Sequence, residues 1–526
     1  RSVTGFGALR RSNTSSAADR HGPWWTASIV VGALLALIAL GSTAWSQTTP
    51  PKTDGQEKEK TDGFAKPGEE GTDDAGKDKA GKTYAKDKDD KDSDDEPKSS
   101  ADEDKATLPR GIFVPAARPP EFAIDDPKTT DEEWKSWSRG KAHSDFQSAV
   151  QAGNRDGASD KIVQAGIREQ LAAMTLPAMR DPKGERFFIS EIVQGLLRTV
   201  HQGASSGNKG VGDQRQYRIF LMQEIIKGVR ELKLASNHYY VRLNVAVLLG
   251  NMFLEEANAA TKADPEFYSP AFDALLEVLE VPGQSESVKL TALNGLRNVC
   301  LYGAPPLQVN DNVRLGKRLI QELEKPNANE WYQSRLCDTL GTIEQAHDLN
   351  GQPFIVQALS VVLFDTSRPL CARAAAARAL GRAPLDPSID LNVIAYGITD
   401  LARQMVDARN SGKHKVSRTC IADVCLAFMP RDTPEKSRRA GLIERVDEPT
   451  YSRFRKSVTQ AWAVIRPMIV EELRHRAEPD IEFPQEVLTG MVTWLKGNTP
   501  TDYRISPGMP SVTTTQVTKV DANGHK

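Results

Sequence analysis

The most constraining feature of this chain is a ten-residue pattern that returns every 40 to 47 residues. It reads VRLNVAVLLG from Val241 to Gly250, VKLTALNGLR from Val288 to Arg297, and YQSRLCDTLG from Tyr332 to Gly341. ARAAAARALG from Ala372 to Gly381 and SRTCIADVCL from Ser417 to Leu426 complete the set. The second position of the frame is Arg242, Lys289, Gln333, Arg373 and Arg418; the ninth is Leu249, Leu296, Leu340 and Leu380. Such a stretch has the apolar spacing of a helix, and each is preceded by another, such as SPAFDALLEVLE or PFIVQALSVVLF. A unit of this length made of two helices cannot bury its apolar face alone, so neighbouring units must stack. Alanine suits the second helix of such a pair because it lets backbones approach and is the best helix former. The Leu380-Gly381 ending predicts an exit through a left-handed glycine cap.

From about Tyr217 to Pro430 the sequence resembles HEAT-repeat and HEAT-like, armadillo-type α-solenoids. The resemblance implies an all-α fold, an α-solenoid of stacked helical hairpins. It departs from the family in one respect. HEAT repeats commonly carry an Asp six residues before the Arg that bonds to the next repeat, and here those positions are Ser236, Gly283, Ser367 and Gly412. The arginines are therefore expected to snorkel or to cap carbonyl oxygens. Helical spacing continues on both sides, predicting an N-terminal helical cap over 131–216, repeats over 217–430, a C-terminal helical cap over 431–496 and a disordered tail over 497–526. No run of alternating β-branched residues argues for a strand.

The segment before the repeats has a different character. Residues 24–46, WWTASIVVGALLALIALGSTAWS, carry no charge over a length that spans a bilayer, with tryptophans at both ends. The basic segment 1–23 precedes them and predicts a cytoplasmic N-terminus with the body on the far, periplasmic side. The same residues read alternatively as a signal peptide cleaved after Ser46, which would secrete the body. Residues 47–130 form an expected disordered linker, charged and then Pro-rich. Between Gln47 and Lys105 it holds 12 Lys against 13 Asp and 6 Glu, which accounts for the near-zero net charge of the whole chain hiding a mildly basic remainder.

Residues that could do chemistry are sparse in pattern. The five cysteines lie in or at the end of predicted helices and read as small buried apolar residues. The eight histidines form no metal-ligand spacing, and Gln202–Asp213 is Gly-rich but lacks the phosphate-loop template. No catalytic, cofactor-binding or metal-ligating residue is assigned. From Leu401 to Asp480 there are 16 Lys and Arg against 11 Asp and Glu. Lys413, Lys415, Arg438, Arg439, Arg453, Arg455 and Lys456 form the candidate basic, partner-binding face. The expectation is a non-enzymatic, membrane-tethered or exported scaffold for protein partners, with no nucleic acid and no small-molecule substrate. The rival expectations are a HEAT-like enzyme of the bilin lyase or hydroxylase type, and a binder of acidic ligands through the basic face.

Overall fold

The computed structural model describes residues 126–500, apart from 181–187, 206–210, 259–260, 262, 326–327, 413–415, 430–440 and 476–481, together with 505–506 and 509–510. Segment 24–46 and nearly all of the 47–130 linker lie outside the described residues. Among the described residues no helix is long and apolar enough to cross a membrane.

The described chain is mostly helical. Its helices are α1 (Asp131–Arg139), α2 (Lys141–Ala152), α3 (Gly157–Ala173), α4 (Phe188–Gln202), α5 (Val211–Glu231) and α6 (Tyr239–Gly250). They continue as α7 (Ala271–Glu280), α8 (Glu286–Tyr302), α9 (Val309–Leu323), α10 (Glu330–Leu340), α11 (Phe354–Phe364) and α12 (Leu370–Arg382). The series ends with α13 (Leu391–Asn410), α14 (Arg418–Phe428), α15 (Leu442–Arg445), α16 (Arg455–Arg474) and α17 (Gln485–Gly497). Local sequence fixes their starts. Thr130 and Glu133 form a reciprocal capping box at α1, and Asp156, Asn329 and Ser417 accept backbone N–H bonds at the starts of α3, α10 and α14.

The helices pack in a regular order. α4, α6, α8, α10, α12 and α14 form a row, each against the next, and α16 packs on α14. Behind them α3 packs on α5, α5 on α7, α9 on α11, α11 on α13, and α13 on α17. α7 also lies against α8, and α11 against α12, so α12 is enclosed by α10, α11 and α14. The row begins with α4, inside the segment 131–216 that sequence spacing assigned to a cap. Three short strands add a small sheet: Phe253–Glu255 is antiparallel to Glu266–Tyr268, which is parallel to Gly303–Ala304. At two or three residues each they are too short to produce a period-2 signal.

The alanines of α12 do what the packing requires. Ala372, Ala374, Ala375, Ala376, Ala377 and Ala379 are all buried, in a helix with closely packed neighbours on three sides. The glycine after Leu380 has a different purpose from the expected left-handed cap. α12 runs on through Arg382, and Gly381 is helical, without a positive φ. A Cβ placed on Gly381 would sit 2.4 Å from the Ala427 carbonyl oxygen and 2.9 Å from its Cα. At Gly341 it would sit 2.7 Å from Ala379 Cα. These glycines are points of backbone contact between successive helices of the row, so the pattern recurs because the helix spacing recurs.

Gly381→Ala should therefore destabilise the protein. The gain of about 1 kcal/mol in helix propensity is set against an overpacking cost of about 1–3 kcal/mol, since the clash is with backbone. Gly490 in α17 has nothing within 4 Å of its would-be Cβ. Gly490→Ala should raise stability by about 0.5–1 kcal/mol. Urea midpoints of the two variants should move in opposite directions, and movement in the same direction would contradict the close-contact reading.

Candidate functional site

The five frame residues occupy equivalent places at or near the starts of α6, α8, α10, α12 and α14. Arg242, Gln333 and Arg373 are buried, Lys289 is largely so, and the Arg418 side chain is 40% exposed. Each forms a polar contact with the hairpin that follows its own. Arg242 donates to Gln284 Oε1 at 3.0 Å and Lys289 to Glu322 Oε2 at 3.2 Å. Gln333 accepts from Arg368 at 2.9 Å. Arg373 donates to Gln404 Oε1 at 2.7 Å, and Arg418 Nε to Glu472 Oε1 at 2.7 Å. Arg373 and Arg418 also cap carbonyl oxygens, those of Leu363 and His475. Successive hairpins are thus linked through a varied set of partners. Leu249, Leu296, Leu340 and Leu380 are all fully buried, one per helix.

Glu322 is the most demanding of these partners. Its side chain is fully buried, yet it faces Lys289, Arg318 at 2.7 Å, Lys325 and the Tyr332 hydroxyl at 2.9 Å. Burial alone would raise its pKa, but hydrogen bonds from Lys325 and Tyr332 and the charge of Lys289 hold it below the ordinary glutamate value. Tyr332 is pushed up, by burial and by the Glu322 charge.

A second cluster lies further along the row. Asp338 of α10 is buried and meets four guanidinium groups. Arg297 Nε from α8 lies 3.0 Å and Arg335 Nη1 3.2 Å from its Oδ2. Arg378 Nη2 and Arg382 Nη1 from α12 lie 3.1 and 3.0 Å from its Oδ1. Arg378 Nη1 also reaches Asp423 of α14 at 2.8 Å. One network thus ties four successive helices of the row together. Burial opposes ionisation of Asp338, but Arg378, Arg297, Arg382 and Arg335 outweigh it and hold the carboxyl far below the usual range. At Asp423 burial wins and the pKa is raised despite Arg378. Sequence reasoning passed over this cluster. The signal was a column of the frame: its seventh position reads Val247, Asn294, Asp338, Arg378, Asp423, where alternating charges on adjacent helices predict ion pairs.

These shifts fix a pH dependence. Glu322 and Asp338 have folded pKa values below their unfolded ones, so their stabilisation is complete above the ordinary carboxylate range and is lost as pH falls through the depressed values. Asp423, shifted upward, opposes them. The urea midpoint should fall below about pH 4. The gap between wild type and Glu322→Gln should be widest at neutral pH and narrow over that interval; a gap that widens in acid would contradict the assignment.

The cysteines divide. Cys337 and Cys425 are buried thiols whose pKa burial pushes up to about 12, and Cys300 is half-buried. Cys371 and Cys420, expected as two more apolar fillers, instead form a disulfide with a Cα–Cα separation of 4.9 Å. They begin α12 and α14, neighbours in the row, at different offsets within the frame, which hid the pairing from sequence comparison.

Of the basic face, Lys413, Lys415, Arg438 and Arg439 lie outside the described residues. Arg453, Arg455 and Lys456 sit together and exposed at the start of α16. Arg453 donates to the Pro387 carbonyl at 2.8 Å and lies over the Phe454 ring, while Arg455 pairs with Asp447 at 3.1 Å. Among the described residues no group of three or more His, Cys, Asp or Glu side chains is placed to hold a metal ion. No protein-family model and no curated protein matches the chain.

Proposed function

We propose that this chain is a HEAT-like α-solenoid that serves as a non-enzymatic scaffold for protein partners outside the cytoplasm. It is held at the membrane through residues 24–46 or released by cleavage after Ser46. The observation that carries the reading is the one-step offset of the frame contacts: each frame residue bonds to the hairpin after its own. Repeated units joined only to their neighbours build a long surface that suits many weak protein contacts. The Cys371–Cys420 bond supports placement in an oxidising compartment, where disulfides persist. The assignment of a binding role rests on this fold-level argument.

The test is affinity capture of the exported protein from its own membranes, with N-terminal sequencing of the recovered chain. Saturable co-purification of a defined protein partner, lost on unfolding, is expected. A stoichiometric metal or a bound tetrapyrrole pigment in the purified protein would instead favour the lyase or hydroxylase reading and overturn the scaffold.

A further inference from the structure

The Asp338 cluster holds more positive charge than its own folding needs. Arg297, Arg335, Arg378 and Arg382 face two carboxylates, Asp338 and Asp423, within one network. Arg378 and Arg382 alone would balance those two carboxylates. Arg297 and Arg335 are the surplus, and both crowd one oxygen, Asp338 Oδ2, at 3.0 and 3.2 Å. Partial burial lowers the pKa of Arg335, and the neighbouring Arg297 and Arg378 charges add to this, although Asp338 works against it. Donors also outnumber acceptors. Arg378 Nε is buried with no hydrogen-bond acceptor, and Arg297 Nε, though close to Asp338, lacks the alignment of a hydrogen bond. The cluster is not sealed: the side chains of Arg335, Arg297 and Arg378 are 40%, 22% and 21% exposed.

We propose that Arg297 and Arg335, backed by Arg378, form a binding point for paired carboxylates on an acidic segment of a protein partner. The ligand class follows from the chemistry already present. Every acceptor side chain in the network is a carboxylate, and guanidinium forks take carboxylates in two-point contact. Two ligand carboxylates would cancel the two surplus charges and continue the alternation of Asp338, Arg378 and Asp423 along the row. The proposal deepens the scaffold reading by naming the partner's chemistry and rests on it only for the word partner; direct ligand binding is testable without it.

The experiment compares the full exported chain with the double variant Arg297→Gln/Arg335→Gln, using acetylated hexaglutamate peptide and inorganic phosphate as probes. A structural brace and a binding site predict opposite stabilities. If the surplus arginines serve a ligand, the variant keeps or raises its melting temperature while its affinity for hexaglutamate falls at least tenfold. The wild-type affinity should weaken with added salt. An unchanged peptide affinity overturns the proposal. So does a variant that melts several degrees lower, because the arginines would then be serving the fold. Phosphate binding tighter than hexaglutamate overturns the carboxylate assignment. If wild type and variant capture the same protein partners equally, the site fails while the scaffold reading stands.

Discussion

Asp338→Ala should cost about 3–5 kcal/mol of folding stability, the range for removing one partner from a buried ionic network. The loss arises because Arg297, Arg335, Arg378 and Arg382 would remain with Asp423 as their sole carboxylate within the network. Asp338 holds all four within 3.2 Å from a buried site, so water cannot readily replace it. Asp338→Asn should cost less, since the amide oxygen still accepts hydrogen bonds and the packing volume is kept. High salt should narrow the deficit of the alanine variant only slightly, because buried charges are poorly screened. Urea unfolding at two salt concentrations provides the check. A loss below about 1 kcal/mol would place Asp338 among surface ion pairs and contradict its burial.

The second large effect concerns the disulfide. Cys371 and Cys420 are 49 residues apart. Opening a loop of that size frees unfolded-chain entropy equivalent to about 4 kcal/mol at 25 °C. Cys371→Ser/Cys420→Ser should approach that loss, and reductant should bring the wild type toward the variant. Non-reducing peptide mapping should recover Cys371 and Cys420 in one linked species, with Cys337 and Cys425 as unreactive thiols until the protein unfolds. A wild type whose stability is indifferent to reductant would contradict the pairing.

What the sequence made legible was whatever depends on a residue and its near neighbours. Helix existence, the alanine-rich α12 and the recurrence of buried leucines at Leu249, Leu296, Leu340 and Leu380 all follow from local spacing. The frame arginines could be found, but their partners could not. Gln284, Glu322, Arg368, Gln404 and Glu472 lie 31 to 54 residues away from the frame residues they meet, and no one residue type serves at all five places. Gly381 shows how a local rule misleads. Leu-Gly at a helix end normally signals a left-handed exit, but here the missing Cβ makes room for Ala427. Asp338 was overlooked because one aspartate in a helix ordinarily faces solvent. Its burial is a property of three adjacent helices, each supplying arginine to it.

The central claim is that successive frame helices are spatial neighbours in chain order. Spin labels at Ser287 of α8, Trp331 of α10 and Thr419 of α14, three exposed positions, test it most directly in a Cys300→Ala background. With about 10 Å between neighbouring helix axes, the account predicts a Trp331–Thr419 distance near 20 Å, two steps, and a Ser287–Thr419 distance near 30 Å, three steps. Equal distances, or a Ser287–Thr419 distance shorter than the other, would contradict it.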